Sequence, residues 1–95
     1  MIKSFADKRT AAIFAGHAVK DLPYQIQRRA RAKLQAVDAA LLLADLHVPP
    51  GNRLEALRGD RAGQHSIRVN DQWRICFVWR GSEAWNVEIV DYHGG

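Results

Sequence analysis

The chain is 95 residues long, with 47% hydrophobic and 25% charged residues, which describes one small domain (1–95) with a modest core and excludes a disordered segment. The longest apolar stretch, residues 39–44, is far too short to cross a bilayer, so no membrane partner is expected. A net charge of +4 favours either anionic partners or a solvated basic surface, while one cysteine, Cys76, excludes an internal disulfide framework.

From the start, "IKSF" at residues 2–5 reads as a short β-like segment, with no signal-peptide pattern around it. A lone cysteine and no leader make a cytoplasmic location the expectation. Asp7 can cap a helix over residues 7–15, with Gly16 placed to end it. A longer helix follows Asp21, with Pro23 acceptable in its first turn. Ile26, Ala30, Leu34, Val37 and Leu41 recur at helical spacing and form one apolar stripe. Arg28, Arg29, Arg31 and Lys33 lie off that stripe, as a solvated face or as a rest for RNA backbone.

"VPPGN" at residues 48–52 halts the helical half. Short β-branched and aromatic runs follow, predicting strands over residues 53–58, 64–69, 73–79 and 85–90. "GDRAG", "NDQ" and a loop at Gly81 separate them as turns. Helices followed by successive antiparallel strands predict an α+β domain, with helices covering one face of a sheet.

Period-two alternation sorts the strand faces. Trp73, Ile75, Phe77 and Trp79 share one face; Arg74, Cys76 and Val78 share the other. Matching apolar faces across "NDQ" pairs Val69 with Trp73 and Ile67 with Ile75, which sets Arg68 opposite Arg74. Like charges so opposed are destabilising unless an acid or an anionic ligand sits between them. Glu88, on the same face by parity, predicts an Arg–Glu–Arg network; a phosphate site is the functional alternative. The second half carries no lysine, only Arg53, Arg58, Arg61, Arg68, Arg74 and Arg80. Arginine's planar fork grips phosphate bidentately.

The last strand runs into Asp91, Tyr92 and His93. Parity carries Tyr92 to the Arg74 face. A phenol can stack on a base, and histidine donates or accepts protons near neutral pH. Acid, imidazole, phenol and arginines together suit RNA cleavage through the 2′-hydroxyl. That reaction needs no metal or other cofactor. Asp60, His65, Asp91 and His93 have no zinc-ligand spacing.

"IKSF", "GNRLEALRGDRAGQHSIRVNDQWRICFVW" and "VEIVDYH" together resemble the HigB toxins, a branch of the RelE/ParE superfamily of type II toxin–antitoxin systems. The resemblance implies a RelE-like fold, with a short N-terminal strand and two helices on one face of a mainly antiparallel sheet. It also implies a ribosome-dependent mRNA endonuclease that cuts codons in the decoding site of the 70S ribosome. The partners would be a HigA-like helix-turn-helix antitoxin and, through that complex, operator DNA. Carried over, Arg58 and Arg74 would flank the scissile phosphate, Tyr92 would stack on a base, and Asp91 would support His93 as acid. Arg53, Arg61 and Arg68 would add RNA contacts. Glu55 stands where many HigB sequences have a histidine; it can take the 2′-hydroxyl proton or serve only as a salt bridge. ParE-like toxins, which share the fold but inhibit gyrase, and a non-enzymatic member that binds only antitoxin or nucleic acid remain the alternative readings.

Overall fold

The computed structural model describes residues 1–92; His93, the proposed acid, lies outside the described residues. The first helix, α1 (Lys8–Phe14), starts where the Asp7 carboxylate accepts from the Thr10 backbone N–H at 2.7 Å. Just beyond it, Gly16 takes a left-handed φ of 94°, which a side chain would strain. The second helix, α2 (Tyr24–Ala39), follows Pro23. Its stripe buries Ala30, Leu34 and Val37, while Ile26 is only partly buried. Leu41 departs from the predicted stripe. The helix ends at Ala39 and Ala40 is extended, so Leu41 lies outside the helical register and is 72% exposed.

Two 3₁₀ turns, Leu43–His47 and Pro50–Asn52, lead into the sheet. Its strands are β1 (Glu55–Ala56), β2 (His65–Arg68), β3 (Trp73–Arg80) and β4 (Glu83–Asp91), antiparallel and in the order β1-β2-β3-β4. The predicted strand over residues 53–58 shrinks to two residues. Arg53 turns left-handed at φ 47° after the 3₁₀ turn, and a third such turn, Gly59–Arg61, ends the pairing. The predicted β2–β3 register is observed: Ile67 opposes Ile75 and Arg68 opposes Arg74. Asn70 closes that hairpin, its side-chain oxygen accepting from the Gln72 and Trp73 N–H groups at 2.9 and 2.8 Å.

One face of the sheet meets the helices. Ile67, Val69, Ile75, Phe77, Val87 and Ile89 are each 1% exposed or less, packed with Ile13, Leu34 and Val37. The predicted N-terminal β segment runs parallel to β4 through bridges Ile2–Ala84 and Phe5–Val87. Where it turns away into α1, side chains take over the edge of β4. Thr10 Oγ1 accepts from the Ile89 N–H at 3.0 Å and Arg9 donates to the Ile89 carbonyl at 2.9 Å. These two side chains occupy the Ile89 N–H and carbonyl groups on that edge. Charges off the α2 stripe divide. Arg28, Arg29 and Arg31 are exposed, whereas the Lys33 ammonium donates to the buried Asn52 side chain. Burial, then Arg29, lowers the Lys33 pKa.

Candidate active site

Strand alternation places Ser66, Arg68, Arg74, Cys76 and Glu88 on the second face of the sheet, opposite the apolar residues packed with the helices. Arg74 is the most enclosed charge in this group at 9% exposure. Burying a guanidinium is costly unless its donors are satisfied. Here Nε donates to Ser66 Oγ at 2.7 Å, and Nη2 donates to the Arg53 carbonyl at 2.7 Å and to the Ser66 carbonyl at 3.3 Å. Glu55 Oε1, on β1, completes the shell at 3.5 Å. These partners come from β1, β2 and the turn before β1, so the guanidinium is fixed in direction as well as in charge.

Above that guanidinium lies the Tyr92 ring, its centroid 5.8 Å from Cζ of Arg74. The Tyr92 backbone N–H donates to the Gln72 carbonyl at 2.6 Å, tying the end of β4 to the β2–β3 turn. The phenol lies beside the buried Cys76 thiol, close enough for the two to perturb each other's titration. Burial, then the neighbouring Cys76, raises the Tyr92 pKa above its ordinary value. Burial likewise pushes the Cys76 thiol up, against the pull of Arg61. Both groups are therefore neutral at physiological pH.

Arg53, Glu55, Arg68, Asn70, Asp71, Arg74 and Tyr92 line one solvent-open concavity of about 400 Å³. It gathers five of the nine residues the sequence singles out for the site. The opposed Arg68 and Arg74 are neutralised, but by two acids other than the predicted Glu88. Glu88 sits opposite Cys76, two register steps from Arg74, and pairs with Arg61 at 3.2 Å. Arg68 instead holds Asp71 in the turn, and Arg74 holds Glu55. The single Arg–Glu–Arg network is thus replaced by three separate pairs.

Not every expected residue converges. Arg58 is exposed at the start of the 3₁₀ turn and Arg61 faces Glu88; neither lines the concavity. Asp91 opposes Trp73 on β3, so alternation turns it away from Tyr92, and its carboxylate accepts from Gln72 Nε2 at 3.2 Å. Ser66, Asp71 and Cys76 had no assigned part. Parity with Arg74 was the available signal for Ser66 and Cys76, and the three-residue spacing across a tight turn was the signal for Asp71. Among the described residues no group of three or more His, Cys, Asp or Glu is gathered as a metal ion would require, and no helix is long and apolar enough to cross a membrane.

Two further concavities of similar size lie elsewhere. One, between the end of α1 and α2, is walled by His17, Tyr24, Arg28 and Arg31. Another, beside β1, is walled by Leu43, His47, Leu54 and His65 and shares Glu55 with the Arg74 concavity. Neither presents opposed, hydrogen-bonded guanidinium groups.

Known proteins resemble this chain along most of its length. The family model for RelE-like HigB toxins of type II toxin–antitoxin systems matches residues 3–93. Toxin HigB-1 of Vibrio cholerae is 45% identical over 68 residues, 72% of each chain. Endoribonuclease HigB of Proteus vulgaris is 36% identical over 93 residues, 98% of this chain and 100% of the relative. A chain of the YoeB–YefM complex from Staphylococcus aureus superposes with a TM-score of 0.60 over 98% of both chains, at 12% identity, a likeness of fold alone.

Proposed function

The chain belongs to the HigB-like family of RelE-like toxins of type II toxin–antitoxin systems, and on that footing we propose that it is a ribosome-dependent endoribonuclease. Its substrate is mRNA in the decoding site of the 70S ribosome, cut at the A-site codon so that translation stops. The observation that carries the reading is the Arg74–Tyr92 pair. A guanidinium fixed by three hydrogen bonds lies under an aromatic ring at an open, cationic concavity. A positioned cation of this kind stabilises charge developing on phosphate, and a phenol ring offers a base a stacking surface.

The reaction divides among these groups. The 2′-oxygen attacks the adjacent phosphorus while its proton passes to a base. The bond from phosphorus to the 5′-oxygen then breaks, and that oxygen takes a proton from an acid. The products are a 2′,3′-cyclic phosphate and a free 5′-hydroxyl. Glu55 is the base within reach, since phosphate arriving on Arg74 takes over the carboxylate's ion pair. His93, directly after Tyr92 in the chain, is the acid. Asp91 supports it, and Arg53 contacts the RNA backbone. Arg58 and Arg61 add positive potential around the concavity. A helix-turn-helix antitoxin binds the free protein, and the complex binds operator DNA.

Brief induction followed by mapping of cellular mRNA 5′ ends tests this function. Cuts in phase with codons inside translated frames are expected. His93→Ala and Tyr92→Ala should abolish growth arrest and leave antitoxin binding intact. Arrest that persists in both variants, or that tracks gyrase activity with mRNA intact, would refute the proposal.

A further inference from the structure

Arg68 and Arg74 are register partners on β2 and β3 and line the same concavity, yet each guanidinium carries its own acid. Directly opposed residues on antiparallel strands have Cα atoms only about 5 Å apart. Such a like-charge pair is destabilising when both charges are left bare. The two covering acids differ from structural acids in one respect: both are loosely held. The Asp71 side chain is 97% exposed and that of Glu55 is 54% exposed.

Asp71 does not maintain its turn. Asn70 already closes the hairpin by accepting from the Gln72 and Trp73 N–H groups. The Arg68 side chain, at 26% exposure, lines the concavity together with the Asp71 it pairs with. Three arginines and two acids line the site, leaving one net positive charge while the acids stay in place. Displacing the acids uncovers two adjacent cationic seats. Phosphate binds arginine through short, charge-assisted and often bidentate bonds, so it competes well against an exposed carboxylate.

We propose that Arg68 is a second phosphate seat beside Arg74, occupied in the free protein by Asp71, so that the concavity takes two consecutive phosphates of one RNA strand. This rests on the reading of Arg74 as the seat of the scissile phosphate. Asp71 and Glu55 are then internal stand-ins for two phosphates, and the seat at Arg68 fixes the strand's register relative to the cut. An acid on each seat also makes a lone phosphate or mononucleotide a poor ligand, because only a strand that fills both seats replaces both ion pairs.

The full-length protein can be titrated with a fluorescent 2′-O-methyl RNA tetranucleotide, which has no nucleophilic hydroxyl. Arg68→Ala should weaken binding about tenfold and flatten the dependence of log affinity on log salt by about 0.7. Asp71→Asn should tighten binding about threefold at low salt, the scale of an exposed ion pair. A neutral methylphosphonate at one linkage should weaken binding to the parent protein and have no further effect in Arg68→Ala. If Arg74→Ala weakens binding while Arg68→Ala and Asp71→Asn match the parent, the second seat does not exist and the endonuclease reading survives. If Asp71→Asn weakens binding, Asp71 orients Arg68 rather than blocking it, and the proposal is overturned. If all three variants bind as the parent does, both the seat and the assignment of Arg74 fail.

Discussion

The two faces of this sheet come from the same alternating residues but are stabilised in opposite ways. On the helix side, Ile67, Ile75, Phe77 and Ile89 are at or near zero exposure and the contacts are apolar. On the second face, Cys76 and Ser66 are fully buried and Arg74 is 9% exposed. Hydrogen bonds from Arg74 to Ser66 and Arg53, and the contact of Tyr92 with Cys76, enclose that face instead. Apolar burial is non-directional and depends chiefly on area. Polar enclosure is directional, so it can hold a cation at a set angle next to solvent. The first face makes the fold and the second aims its chemistry.

That contrast can be broken most decisively at Phe77. Phe77→Ala should cost about 3–5 kcal/mol of stability, measured by urea unfolding; a loss well under that range would mean the helices do not close the face tightly. Next in size, Arg74→Ala should lower the rate of RNA cleavage about 10²–10³-fold, the scale of losing one positioned charge-stabilising group. Circular dichroism should show that variant still folded. Full activity would leave the open face with a merely structural arginine.

A smaller effect should separate the faces by pH. Folding raises the pKa of both Cys76 and Tyr92, chiefly by burial, so the fold favours their protonated forms. Their contribution is complete below the ordinary thiol pKa of about 8.5 and is lost as pH rises through the elevated native values. Melting temperature should therefore fall at alkaline pH, and more gently in Cys76→Ala; a flat profile would contradict the buried contact. Smallest of all, Glu88→Gln should cost no more than about 1 kcal/mol, because the Arg61–Glu88 pair is about one-third exposed on each side. A larger cost in thermal unfolding would show that this pair helps to close the open face.

Much of this was legible before any coordinates. The Asp7 cap, the α2 stripe as far as Val37, and the β2–β3 register each follow from local rules: a capping side chain, a 3.6-residue period, and alternation across a tight turn. Leu41 escaped because periodicity carries no stop signal where a helix ends without a proline or glycine. Ion-pair partners were harder. Parity put Glu88 on the correct face, but Arg68 pairs with Asp71, Arg74 with Glu55 and Glu88 with Arg61.

By itself, then, the sequence determined which residues share a face, because side-chain direction along a strand or helix is set by backbone geometry at each step. Only the tertiary structure decided which of them meet. Arg74 joins Arg53, Glu55, Ser66 and Tyr92 from segments up to 21 positions away, and that convergence depends on how the strands are stacked side by side. It also placed Arg58 outside the concavity and Asp71 within it, since turns redirect side chains at angles that no short-range period encodes.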